Sequence, residues 1–211
     1  TWDQEGVELE VSNTGFLGSA EQVGVIERLY REHPTALRMV DPVMGDNGRK
    51  YPTYSDEMCE ATGRLVEGAD VLTPNLTEAS ILTRIPYEGQ DVSDAYVTRM
   101  MDALLDRGAK VVVIKGVARN DGLIRNFVAG QDVDLDETSG ERLPFLLHGT
   151  GDLFASGLLA AIMCGRSLRD AVGFAGALVH DAMVVSREQP HYQQRGVSFE
   201  SVLGEVTDLL R

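Results

Sequence analysis

His148-Gly149-Thr150-Gly151-Asp152 stands between an apolar stretch and the most apolar helical segment of the chain. Two glycines let a backbone turn tightly and present successive N–H groups. The start of a helix adds positive potential at the same point, so the segment suits a bound anion. Asp152 falls in the first turn of the helix that follows. There its carboxylate can take a proton from an alcohol while the backbone of Gly149, Thr150 and Gly151 stabilises a migrating phosphoryl group. A plain glycine turn whose acid complements the helix dipole reads the same way, and short glycine motifs recur by chance.

Three further segments place charged or amide side chains at the ends of apolar runs. Asp41-Pro42-Val43-Met44-Gly45-Asp46, with Lys50 and Tyr51 beyond it, follows a short strand-like run. Carboxylates five residues apart across a turn, Asp41 and Asp46, can hold Mg²⁺ directly or through water. Asp-Pro and Gly-Asp-Asn-Gly are also ordinary turn chemistry. In Thr73-Pro74-Asn75-Leu76-Thr77-Glu78, Asn75 and Glu78 have the spacing of a helix capping box. They can also order Mg²⁺ water and phosphates, because a cap uses only part of a carboxylate's acceptor capacity. Lys115 ends Val-Val-Val-Ile-Lys before Gly116, which puts an ammonium at the same sheet edge as Asp41 and Asn75. It reads equally as a phosphate contact or as a lysine snorkelling from a strand end.

The elements that must position these residues alternate between strand-like and helix-like apolar periods, the signature of an α/β fold with a mostly parallel sheet. Residues 20–32 predict a helix capped by Ser19, residues 36–40 a strand, 55–66 a helix and 69–73 a strand. A helix starting at Leu76 and one over 93–107 follow, and the β-branched run 110–115 predicts a buried parallel strand. Between Gly122 and Leu147 the runs LIRNFVAG and RLPFLL read as antiparallel edge strands joined by a mobile acidic segment, QDVDLDETSGE. Helices are expected over 153–164, 168–186 and 198–211.

With 211 residues, 43% hydrophobic and 25% charged, the chain has the composition of one globular domain. Its 19 basic and 33 acidic residues give a net charge of −14, which disfavours a duplex nucleic-acid partner. No apolar run reaches the roughly 18 residues of a membrane span. The first residues carry no secretory pattern, so the expected address is the cytoplasm. Cys59 and Cys164 make neither a disulfide framework nor a zinc pair, and the four histidines share no ligand spacing. Neither a P-loop nor a dinucleotide-binding glycine motif occurs.

Taken together, TGFLGS (14–19), DPVMGDNGRKY (41–51), TPNLTE (73–78), VVIKG (112–116) and HGTGDLFASGLL (148–159) resemble the ribokinase-like superfamily, and within it the pyridoxal kinases. The resemblance implies a three-layer sandwich with a mostly parallel central sheet flanked by helices and antiparallel edge strands. It also implies an ATP- and Mg²⁺-dependent kinase acting on the 5′-hydroxyl of pyridoxal. Asp152 then corresponds to the catalytic base beside that hydroxyl, and Gly149, Thr150 and Gly151 to the anion hole. Asp41, Asp46, Tyr51, Asn75, Glu78 and Lys115 map onto the nucleotide site, with Asp41 and Glu78 toward the metal, and Phe16 maps onto the substrate side. The resemblance further implies a homodimer and admits a monovalent cation such as K⁺. Hydroxymethylpyrimidine kinases share several of these motifs but usually have cysteine in place of Asp152. A non-catalytic nucleotide- or pyridoxal-phosphate-binding relative is the reading of a different class. Family members are usually longer at the amino end by several tens of residues, and the residues just ahead of TGFLGS are expected to be helical.

Overall fold

Apolar residues alternate along the strands of this chain, and the structure sorts them onto the two faces of one sheet. The computed structural model describes residues 5, 6, 8–34 and 36–209. The first half runs β1 (Val11–Thr14), α1 (Ala20–Glu32), β2 (Leu37–Val40), β3 (Gly45–Asp46), β4 (Arg49–Lys50), α2 (Asp56–Gly63), β5 (Val71–Leu72), α3 (Leu76–Thr83) and α4 (Asp94–Asp106). The second half runs β6 (Val111–Ala118), β7 (Leu123–Gly130), β8 (Val133–Glu141), α5 (Thr150–Met163), α6 (Leu168–Arg187), α7 (Tyr192–Arg195) and α8 (Leu203–Asp208).

Six strands form the main sheet in the order β1-β2-β5-β6-β7-β8, and β3 and β4 make a separate hairpin. β1, β2, β5 and β6 are parallel, whereas β7 and β8 are antiparallel at one edge. Val40, Leu72, Val112, Ile114 and Phe127 belong to a core that also takes residues of α1 to α4. Their neighbours Met39, Val71, Val113 and Val128 join a second core with Phe154, Leu158, Ala171 and Ala175 of α5 and α6. The alternation is the period of two that a strand imposes on its side chains, and it produces the expected three layers.

Side-chain caps set most helix starts. Ser19, Ser55, Asn75, Ser93 and Ser167 each accept a hydrogen bond from a backbone amide in the first turn of α1, α2, α3, α4 and α6. Among described helices of eight or more residues, α5 alone lacks such a cap. Its N-cap is Gly149, in the left-handed region at φ 86°.

The sequence expectation fails at the edge of the sheet. The acidic run 133–141 is not a mobile connection but the edge strand β8, paired with β7 from Val133 opposite Gly130 to Glu141 opposite Leu123. Residues 142–147, expected as a strand, are instead the link to α5, with Leu146 exposed and Leu147 buried. An edge strand leaves much of its surface to water, so acidic side chains are tolerated there and discourage edge-to-edge association. Two of them also find arginine partners: Asp136 pairs with Arg169, and Glu137 lies 3.7 Å from Arg125. Pro144 removes a ladder donor from the other run.

Smaller differences follow from local geometry. The residues directly ahead of Gly15 form β1 rather than a helix, and residues 1–4 and 7 lie outside the described residues. The glycine-bearing loop after Asp41 is the β3–β4 hairpin. The last expected helix shrinks to a 3₁₀ turn at Glu200–Val202 and α8, and its final two positions lie outside the described residues.

Leu158 is fully buried in the core between α5 and the sheet. Leu158→Ala is expected to lower the unfolding free energy by about 2–5 kcal/mol. Glu60→Ala, on an exposed position of α2, should change it by less than about 0.5 kcal/mol. Urea denaturation measures both.

Candidate active site

The carboxyl ends of β2, β5 and the middle of β6 lie side by side, and each delivers one of the residues singled out from sequence. Asp41 directly follows β2, and Asn75 caps α3 just past β5. Lys115 is a bridge partner of Asn75, its amide donating to the Pro74 carbonyl at 3.0 Å. Ligands in open α/β sheets collect at this edge.

Lys115 is nearly buried, its side chain 11% exposed. Its ammonium makes a close ion pair with Asp41 Oδ1, donates to the Thr73 carbonyl at 2.5 Å and lies 3.9 Å from Glu78 Oε2. Asp41 and Glu78 are each 2% exposed. Glu78 Oε2 accepts from the Asn75 amide at 2.8 Å and Oε1 from the Met44 amide at 3.2 Å. Asn75 Oδ1 accepts the Glu78 amide at 2.9 Å, and Asn75 Nδ2 donates to the Gly45 carbonyl at 2.9 Å. Asn75 and Glu78 are therefore a capping box and part of the charged cluster at once, so the two sequence readings coexist. Asp41 Oδ2 is buried without a hydrogen-bond partner.

Burial pushes the Glu78 carboxyl up to about 7, with Lys115 pulling it down and Asp41 pushing it further up. For Lys115, burial alone favours the neutral amine, but the charges of Asp41 and Glu78 outweigh it and raise its pKa. The lysine stays an ammonium.

The β3–β4 hairpin sits over α3. Gly48, at φ 75°, donates its amide to Thr77 Oγ1 at 2.8 Å, and the Tyr87 ring fills the space a Cβ on Gly48 would need. Tyr51 leaves the hairpin with its amide bonded to the Met44 carbonyl at 2.9 Å. Burial, then the nearby Glu78 and Asp46 carboxylates, raises its phenol pKa. Asp46 does not join Asp41. Its two carboxylate oxygens accept from the backbone and side chain of Asn47 at 2.8 and 2.9 Å. The acid that shares a cation with Asp41 is Glu78, 37 positions away, rather than its sequence neighbour. The hydroxyl of Thr77 holding the hairpin tip was missed from sequence. Its type and position in the first turn of α3 were visible, but the tertiary partner was not.

The glycine turn at Gly149 lies beside this cluster. With no side chain capping α5, the first-turn amides at Thr150, Gly151 and Asp152 are left to a ligand or water. A Cβ on Gly151 would lie 3.8 Å from Lys115 Cε, so the turn and the lysine stem are neighbours. The charge of Asp152 also acts on Lys115. Asp152 is exposed and lines a cleft of about 540 Å³ together with Leu153, Ser156, Leu178, Val197 and Phe199. Thr150 Oγ1 donates to the Leu147 carbonyl at 3.3 Å, which fixes the turn. Phe16 lies in the loop after β1, 54% exposed, with its ring edge-on to Tyr54 at 5.7 Å. Its ring partner is thus Tyr54, not one of the charged residues. No group of three or more His, Cys, Asp or Glu side chains suited to a metal occurs among the described residues.

Comparison with known proteins bears on the family and the fold. Residues 4–196 match the phosphomethylpyrimidine kinase family. A pyridoxine/pyridoxal/pyridoxamine kinase of Bordetella avium is 35% identical over 187 residues, covering 82% of this chain and 59% of its own length. The chain spans about three-fifths of the length of the curated relatives it matches. A Bacteroides thetaiotaomicron protein classed with the phosphomethylpyrimidine kinases and crystallised with pyridoxal superposes with a TM-score of 0.90 at 30% identity, over 98% of this chain and 73% of that one. Pyridoxal kinase from Leishmania donovani in complex with ADP gives a TM-score of 0.77 at 27% identity, over 92% of this chain and 70% of that one. A family match across nearly the whole sequence, joined to a parallel sheet that gathers Asp41, Glu78, Lys115 and an uncapped helix start at one edge, means that the chain belongs to the phosphomethylpyrimidine kinase family, with its ribokinase-like α/β fold.

Proposed function

We propose that the protein is a kinase that transfers the γ-phosphoryl group of ATP to the 5′-hydroxyl of pyridoxal, giving pyridoxal 5′-phosphate in vitamin B6 salvage. The observation that carries this reading is the meeting of an accessible carboxylate, Asp152, with an uncapped helix start and a buried ammonium, Lys115. Phosphoryl transfer asks a protein mainly to position reactants and to stabilise charge, and these three groups do that. Asp152 accepts the hydroxyl proton, the freed oxygen bonds to the γ-phosphorus, and the bond to the bridging oxygen breaks to release ADP. The amides after Gly149 take the charge that develops on the transferring group. Lys115 holds positive charge beside them, and Asp41 and Glu78 keep its amine protonated. Asp46, on the hairpin, and Tyr51, just past it, stand on the nucleotide side in this reading, and Phe16 on the substrate side.

Mg²⁺ fits the residues present. Asp41 has a buried oxygen with no partner, and Asp41 and Glu78 supply the one or two carboxylates that this ion commonly uses beside substrate phosphates. When bound, it would neutralise phosphate charge. A monovalent cation such as K⁺ and a homodimeric assembly complete the reading and rest on the family resemblance, and a cytoplasmic address is carried as the default expectation of the sequence. No described helix is long and apolar enough to cross a membrane.

The sequence resemblance leaves a second reading, phosphorylation of hydroxymethylpyrimidine, and the matching family is described by the phosphorylated form of that pyrimidine. Mass spectrometry of the products from ATP, Mg²⁺ and an equimolar mixture of pyridoxal and hydroxymethylpyrimidine separates the two. Pyridoxal phosphate is the expected product, and Asp152→Asn should lower its rate by about 10²–10⁴ while ATP affinity stays nearly constant. Hydroxymethylpyrimidine phosphate alone would select the second reading. No product from either alcohol would contradict both readings.

Glu78 also predicts a pH dependence of stability. Its folded pKa of about 7 lies above the ordinary value of 4.5, so between those values the folded state holds a proton that the unfolded state has released. Stability therefore falls as pH rises across that window, and the full penalty is present above about pH 7. Glu78→Gln should remove this slope, so that from pH 5 to pH 8 the variant loses about 1–3 kcal/mol less than the wild type in urea unfolding. Parallel pH profiles for the two proteins would contradict the assignment.

A further inference from the structure

Lys115 reaches the charged cluster from a strand whose regular ladder breaks at that residue. In β6, Val112 and Ile114 face the α1–α4 core and Val113 faces the α5–α6 core. Ile114 stands opposite Phe127 and Val117 opposite Arg125, so Lys115 and Gly116 together oppose the single residue Asn126. This two-against-one register is a β-bulge, which bends a strand and re-aims a side chain. It also returns Val117 to the α1–α4 core. An unbroken alternation from Ile114 would have turned Val117 to the opposite face.

Gly116 adopts φ 73°, and nothing lies within 4 Å of the point where its Cβ would be. Glycine is therefore required by the left-handed backbone, not by crowding. Its amide donates to Asn126 Oδ1 at 2.9 Å, so a side chain replaces the ladder acceptor that the bulge removes. Asn126 is 7% exposed in the middle of a strand, where asparagine is disfavoured. α6 closes over it: a Cβ on Gly176 would lie 3.1 Å from Asn126 Nδ2. On its other side Lys115 is tied to the link between β5 and α3 through the Pro74 carbonyl.

We propose that Asn126 is a positioning residue: by holding the bulge at Gly116 it aims Lys115 at Asp41, Glu78 and the turn that begins α5. The kinetic part of this proposal rests on the kinase reading, whereas the structural coupling does not.

A double-mutant cycle of Asn126→Ala with Lys115→Met tests it, read by hydrogen exchange, urea unfolding and turnover. In Asn126→Ala the Gly116 amide is expected to exchange at least tenfold faster. The factor by which Lys115→Met changes the unfolding equilibrium constant should shrink at least tenfold in that background, because the lysine no longer sits in the acid pair. Turnover with pyridoxal should fall at least tenfold in Asn126→Ala with KM for pyridoxal unchanged, yet change less than twofold when Lys115 is already methionine. Asn126→Asp, which keeps the acceptor, should retain Gly116 protection and most of the turnover. Asn126→Ser, too short to reach Gly116, carries the same test if the alanine variant does not fold. Equal factors in both Lys115 backgrounds would overturn the proposal. Should the wild type show no turnover, the kinase reading fails by itself, and the unfolding cycle still decides the role of Asn126.

Discussion

The ammonium of Lys115 sits almost out of water between Asp41 and Glu78, and none of these three charges could be buried alone without a penalty of several kcal/mol. Each is tolerable because the others are present, so β2, β5 with the start of α3, and β6 must meet in one register. The cluster thus ties three sequence-distant segments into a single edge. It also accounts for the raised pKa of Glu78. Its carboxyl is buried, beside another acid, with one shared cation and two backbone amides to offset the loss of water.

The arrangement suits anion chemistry because the same edge leaves positive potential uncommitted. Five of the long helices satisfy a first-turn amide with a serine or asparagine, whereas α5 starts at a left-handed glycine with no side chain at that point. Helix starts without a cap have amides that must find water or a ligand. Placing that start beside a buried ammonium and an exposed aspartate combines charge stabilisation with a proton acceptor. The stiffness comes from the two-faced core: α1 to α4 fill one side of the sheet and α5 and α6 the other. The strand ends between them have little freedom to move apart.

Much of this was legible in the sequence, for physical reasons that differ from residue to residue. Asn75, Glu78, Ser19 and Gly149 act through local geometry, so spacing of a few residues was enough to predict their caps and turn. Asp41 and Asp152 were recognisable because strand ends and helix starts are where α/β folds collect charge, whereas Lys115, expected to end its strand, lies in the middle of β6, which continues to Ala118. What stayed hidden depends on partners far along the chain. The sharing of Lys115 between Asp41 and Glu78, the seat of the hairpin tip on Thr77 and the bulge opposite Asn126 carry no local pattern. The acidic strand β8 was misread for a related reason. Its polarity reflects an edge facing water and the arginines Arg125 and Arg169, whereas the apolar run after it has the local pattern of a strand without a partner to pair with among the described residues. Asp46 was expected to act with Asp41 because they are close in sequence, but a hairpin lets Asp46 bond its own turn.

The central claim is that the buried Lys115 charge makes this sheet edge a phosphate site. Calorimetric titration of Mg²⁺·ADP into the wild type and into Lys115→Met, at one pH and one salt concentration, tests it most directly. The account predicts at least tenfold weaker binding in the variant, with a wild-type affinity that falls as salt rises. Equal affinity in the two folded proteins would contradict it.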